Sequence, residues 1–230
     1  MFDFLGYGHL LVDGARMTVL AGLASLVVAM VLGLVAATAR LSPSPLARAV
    51  AGTYTTVIRG VPELVLLLLV FFGGTMLLQK AWALLGSDEY VEVDAFSAGV
   101  GTIGFVYGAF ATEVFRGAIQ AVPKGQLEAA RACGMNRWLV LRRILLPQMW
   151  RYAIPGLGNV WLVLLKATSL MSVVGLDEIT RKAYVAAGAT KHQFKFYMAG
   201  ALVYLLLTIV SMLLLQWLER YANRGIRRAV

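Results

Sequence analysis

Charged residues divide this chain into long apolar stretches separated by short polar ones. Met17 to Ala39 is a run of 23 residues without a charge, bounded by Arg16 and Arg40, and it is long enough to cross the hydrocarbon with some tilt. It stops at Leu41-Ser42-Pro43-Ser44-Pro45, where prolines remove donors and bias the residues before them away from helix. The next apolar region, Ala49 to Gln79, is interrupted by Arg59, Gly60, Pro62 and Glu63. Its clean part is short for a span, so the pattern predicts one longer helix, kinked at Pro62, with Arg59 and Glu63 near an interface. An acidic connector from Ser87 to Asp94 precedes a glycine-rich third run, in which Gly104 and Gly108 have the spacing that lets another helix approach closely. Residues 116–151 carry too many arginines and lysines to span, and two further runs follow, the first with one internal charge at Lys166. The predicted spans are about 16–39, 49–79, 95–115, 152–176 and 196–218. The fold class is all-α integral membrane: one transmembrane domain, 1–230, of five transmembrane helices with a polar loop between spans three and four.

Composition agrees with that pattern and removes the soluble classes. The chain is 60% hydrophobic and 14% charged, against roughly a quarter charged in soluble domains. The net charge of +9 would suit nucleic acid, but the basic residues sit in the gaps between apolar runs, with no interleaved aromatic and basic surface, so no nucleic acid is expected. Their distribution instead sets the orientation. With the N-terminus outside, fourteen Lys and Arg fall in cytoplasmic segments and six outside, which predicts a multi-pass inner-membrane protein with a cytoplasmic C-terminus. The N-terminal region holds Asp3 and Asp13 and only one strong base, Arg16, so the first run is read as a retained span and not a signal peptide. The lone Cys133 makes no intramolecular disulfide. His9 and His192 belong to no metal-ligand cluster, and no nucleophile constellation or phosphate-cradling loop is present. No catalytic residue, metal or cofactor is expected in this chain.

The polar loop predicts a short amphipathic helix that starts after Pro123, breaks at Gly134, and is followed by a second one ending at Pro147. Residue physics alone leaves two readings open: a docking element for a partner protein, or a basic helix pair lying on anionic membrane lipid. The string Glu128-Ala129-Ala130, then Gly134, then Ile144, Leu146 and Pro147 resembles the EAA loop of bacterial ABC-importer permeases. Arg59-Gly60-Val61-Pro62, Thr112-Glu113-Val114-Phe115-Arg116-Gly117 and Lys166-Ala167-Thr168-Ser169-Leu170 resemble segments of the polar amino-acid uptake family, and of its HisQ-type subunits for histidine, lysine, arginine and ornithine. Many relatives carry Asp where this chain has Ala167. The resemblance implies an ATP-driven importer for polar, basic amino acids. Its ATP would be bound by a separate cytoplasmic ATPase dimer docked on Glu128, Ala129, Ala130, Gly134, Ile144, Leu146 and Pro147. It also implies a second, related permease in a heterodimer, preferred to a homodimer, and an extracytoplasmic amino-acid-binding protein. The competing class is a nucleotide-independent secondary transporter or channel.

Ionisable residues within spans are costly and are therefore candidates for the substrate path. Glu113 is read first as an interfacial salt bridge and second as a ligand for a basic group. Glu63 and the aromatic Tyr107 are further candidates. Lys166 shares a helix face with Asn159 and Ser169. That face is expected to point into the bundle, with Lys166 paired to a glutamate such as Glu113 rather than meeting a substrate carboxylate.

Overall fold

The computed structural model describes residues 6–84 and 93–224. Asp3, Arg227, Arg228 and residues 87–92 of the acidic connector lie outside the described residues. Nine α-helices are described in chain order: α1 (Gly8–Arg40), α2 (Pro45–Gly60), α3 (Glu63–Leu84), α4 (Ala95–Ala121), α5 (Lys124–Ala132), α6 (Arg137–Val140), α7 (Leu146–Ala167), α8 (Ile179–Thr190) and α9 (Gln193–Ala222). Five helical stretches are long and apolar enough to cross a membrane: α1, α3, α4, the continuous stretch Arg137–Val174, and α9.

Two predicted features differ from what is observed, both at prolines. The predicted kinked helix over 49–79 is two helices. Val61, forced out of the helical region by Pro62, is extended (ψ 136°), so α2 ends before it and α3 starts at Glu63. Conversely, the helix predicted to end at Pro147 does not end there. A π turn at Leu141–Leu145 lets the Leu146 N–H reach back five residues to the Leu141 carbonyl, and the wider turn carries the helix past a residue with no N–H to donate. Span four therefore grows directly out of the polar loop.

The centre of the bundle is α1 against α4. Gly33 faces Ala111, Gly104 faces Val28, and Gly108 faces Leu32, so residue numbers rise together and the two helices run parallel. An added Cβ would meet Ala111 Cβ at 2.6 Å from Gly33 and Val28 Cβ at 2.6 Å from Gly104. The Gly104/Gly108 spacing thus does what the sequence suggests: it brings a second backbone close, where dispersion contacts stand in for the hydrophobic effect that lipid does not supply. The α7 stretch runs antiparallel across α4, with Gly156 against Val114 and Met171 against Gly99. Together they bury Ile103, Val106, Tyr107, Val160, Leu164 and Met171. Helices α3 and α9 stand at the periphery and expose Leu69, Phe72, Leu205, Leu213 and Trp217, as expected of spans whose outer neighbour is lipid. Between spans four and five lies α8, which packs so close to α1 that a Cβ on Gly14 would stand 2.9 Å from the Ile179 Cα.

Candidate functional site

Helix α5 carries the string Glu128-Ala129-Ala130, and its end is defined by backbone geometry. Gly134 has φ +79°. The Met135 N–H donates to the Ala130 carbonyl (3.1 Å) and the Gly134 N–H to the Arg131 carbonyl (2.9 Å), the pair of bonds of a Schellman cap. No atom crowds the place a Gly134 Cβ would take, so glycine is required here for its backbone conformation and not for space. The chain turns at Met135, and Asn136 caps α6 by accepting from the Leu139 N–H at 2.9 Å. From there the helix continues through the π turn into span four.

The candidate coupling residues fall into two groups. Glu128, Ala129, Gly134 and Pro147 are exposed, whereas Ala130 is buried and Ile144 and Leu146 are half-buried. The second group seats α5 and the π turn; the first is available to a partner. Glu128 enters no ion pair among the described residues. Sequence reasoning missed Trp138, an indole 64% exposed in the same polar segment. A tryptophan between arginines in a loop has little reason to be there for packing, and that was the available signal.

The substrate-path candidates are brought together only in part. The Tyr107 hydroxyl donates to Glu63 Oε1 at 3.0 Å, joining two of them at the break between α2 and α3. Beside them is a cavity of about 280 Å³ lined by Ile58, Arg59, Gly60, Glu63, Val106 and Phe110. Glu113 lies six residues further along α4 and lines a neighbouring space. Arg116 donates to its Oε2 from Nε (2.9 Å) and Nη2 (2.7 Å), and Arg40 stands 3.7 Å from its Oε1. Glu113 therefore pairs with Arg116, and the predicted pairing with Lys166 is not formed: Arg116 is one turn away on the same helix, whereas Lys166 lies toward the opposite end of span four. Lys166 enters no ion pair among the described residues. The expected inward direction of its face also needs correction. Asn159 and Lys166 are exposed and Ser169 half-buried, because the opposite face of α7, with Leu157, Val160 and Leu164, is the one that fills the core. The Ser169 hydroxyl is spent on the Lys166 carbonyl (2.7 Å). Lys166 and Ser169 line a separate cavity of about 310 Å³ with Thr180, Tyr197 and Tyr204.

Sequence reasoning also missed Glu178, which is fully buried. It caps α8 by accepting from the Arg181 N–H at 3.0 Å and accepts from the Tyr204 hydroxyl at 2.6 Å. Burial raises its carboxyl above the usual range, while its hydrogen bonds act in the other direction.

A bundle of five candidate spans, with an exposed capped helix set beside the stretch that runs on into span four, is the architecture of a multi-pass membrane protein. The chain belongs to the family of binding-protein-dependent transport system inner membrane components, whose model matches residues 29–228. It is 49% identical over 223 residues to the nopaline transport system permease protein NocQ of Agrobacterium fabrum, covering 96% of this chain and 94% of that protein. It is 42% identical to the histidine/lysine/arginine/ornithine permease HisQ of Escherichia coli, covering 97% and 98%. Its fold matches the crystal structure of an amino acid ABC transporter with histidines at a TM-score of 0.79 and 32% identity, over 96% of this chain and 99% of that one. A methionine ABC transporter in an inward-facing conformation shares the fold at a TM-score of 0.77 and 17% identity, over 97% and 100%. The chain is thus an inner-membrane ABC permease of the amino-acid transport kind.

Proposed function

We propose that this permease imports basic amino acids and their derivatives, driven by a separate cytoplasmic ATPase dimer that binds the ATP and docks on Glu128, Ala129 and Gly134. It works beside a second, related permease and receives substrate from an extracytoplasmic binding protein, with its own N-terminus outside. The observation that carries the coupling role is the continuity of the loop with span four. Helix α5 seats on α6 and the π turn through buried Ala130, and that stretch runs as continuous helix from Arg137 into the span, so closure of a dimer docked on α5 is passed to the span. For the substrate, the reading is supported by relatives whose names state a histidine/lysine/arginine/ornithine transport system, over 97% of this chain, and an arginine transporter, over 72% of it. The Glu63 carboxylate at a broken helix, beside the open C-terminal carbonyls of α2, suits a cationic group.

The coupling role is tested by Gly134→Val, which strains the cap without a clash. Uptake of L-arginine by cells is expected to fall roughly tenfold and the ATPase to be lost on purification, at an unchanged membrane level of the chain. Uptake and association both unchanged would overturn the role given to the loop.

A further inference from the structure

A third cavity, of about 480 Å³, lies between the ends of α1 and α2 and the face of α4, lined by Arg40, Thr55, Thr56, Arg59, Phe110 and Glu113. It shares Arg59, Gly60 and Phe110 with the cavity beside Glu63, so the two are neighbours along one lane. On α4, Tyr107, Phe110 and Glu113 follow at intervals of three residues, about 4.5 Å of rise each.

The charge of this cavity is unbalanced. Its one carboxylate, Glu113, is already held by both Nε and Nη2 of Arg116. Arg40 touches Glu113 only at 3.7 Å, too long for a hydrogen bond. Its guanidinium is directed over Gly52, where a Cβ would stand 2.6 Å from Arg40 Nη1; glycine there makes the room it occupies. Arg59 enters no ion pair among the described residues. Its guanidinium lies over the Phe110 ring, 5.1 Å from the centroid, a contact that uses the face of the group and leaves its N–H donors free. The Thr56 side chain adds a hydroxyl. Two under-paired guanidiniums facing one space at a membrane interface are a fork for a planar anion.

We propose that this cavity binds the carboxylate of the transported amino acid on Arg40 and Arg59, while the cationic end lies toward Glu63. The inference rests on the substrate reading above. It assigns the two arginines a recognition role that a basic substrate would not by itself suggest, since they repel its side chain and attract only its carboxylate. They therefore fix the direction in which the substrate lies along the lane.

The test is equilibrium binding of labelled L-arginine and of agmatine, which keeps the guanidinium but has no carboxylate, to the detergent-purified permease–ATPase complex without binding protein. Native complex is expected to bind agmatine roughly tenfold more weakly than arginine, and Arg59→Gln and Arg40→Gln are each expected to weaken arginine roughly tenfold. Agmatine binding should stay within about twofold in both variants, with Arg59→Lys restoring part of the arginine affinity. Arg59 is exposed, so Arg59→Gln tests the idea even where Arg40→Gln fails to assemble. Equal losses for both ligands, or no loss for arginine, would overturn the carboxylate site and leave the substrate reading intact. Absence of arginine binding by the native complex would instead remove the substrate reading, and this inference with it. A loss seen in phosphatidylglycerol nanodiscs but absent in phosphatidylcholine ones would assign the arginines to a lipid headgroup and also overturn the proposal.

Discussion

The protein contains two pairs of the same chemistry, Glu63 with Tyr107 and Glu178 with Tyr204, and they differ in what is left over. Glu178 is fully buried, and both its oxygens are engaged, Oε2 by the Tyr204 hydroxyl at 2.6 Å and Oε1 by the Arg181 N–H at 3.0 Å. Next to it, the Ile179 N–H donates to Thr18 Oγ1 on α1, so the group knots together α1, α8 and α9. Glu63 accepts from Tyr107 through Oε1 alone. Its second oxygen has no partner among the described residues, and the residue lines a cavity. A fully buried carboxylate with both oxygens bonded within its own fold acts as a tie, because no face of it is open to a ligand. One with acceptor capacity left at the edge of an open space retains the means to bind. The difference lies in the tally of hydrogen bonds and not in the residue types, which are identical.

The largest effect expected from this contrast is on stability at Glu178. Glu178→Ala removes the α8 cap and leaves the half-buried Tyr204 hydroxyl without its acceptor, together about 1–3 kcal/mol. Thermal unfolding of the detergent-solubilised complex should show a markedly lower midpoint, and the level of the chain in the membrane should fall. A variant with native midpoint and depressed uptake would reverse the assignment and make Glu178 a transport residue.

Neither member of the contrast was fully legible in the sequence. The five spans could be read because lipid imposes a requirement on length and charge that each run meets by itself. Gly134 could also be read, since its role is local to one helix end. Glu178 could not: next to Asp177, in a segment with Arg181 and Lys182, it looks like any charge of an outer connector, and only the docking of α8 against α1 and α9 buries it. The face of Lys166 was misjudged for a related reason. A polar stripe shows that a helix has two unlike faces, but which of them meets this chain's own core is settled by α4 and α9. The close approach of α1 and α4 was suggested by Gly104 and Gly108, while the partner helix that fills the gap was not.

The second test addresses the open member of the pair. Glu63→Gln keeps an acceptor for the Tyr107 hydroxyl and removes only the charge, so the midpoint should move by less than about 1 kcal/mol equivalent. Uptake of arginine should nonetheless fall roughly tenfold, because a cation then loses its counter-charge at the helix break. If uptake is unchanged while the midpoint drops, Glu63 is a second structural tie and the contrast with Glu178 disappears.

The smallest effect is the dependence of stability on pH, and it isolates Glu178 from its neighbours. Burial is the largest influence on this carboxyl and raises it above the usual range, whereas in the unfolded chain it titrates as an ordinary glutamate. Between those two limits the folded protein still holds a proton that the unfolded chain has released. Stability from this group is therefore complete below the ordinary carboxylate range and is lost as pH rises through the raised one. Glu178→Gln retains acceptors for the Tyr204 hydroxyl and the Arg181 N–H but cannot titrate. The unfolding midpoint of the native complex should thus decline with rising pH across that window relative to Glu178→Gln, with every other titrating group common to both. Parallel curves would mean that Glu178 is already ionised below the window, its charge held by the two donors that reach it, and burial would then have been overruled by hydrogen bonding.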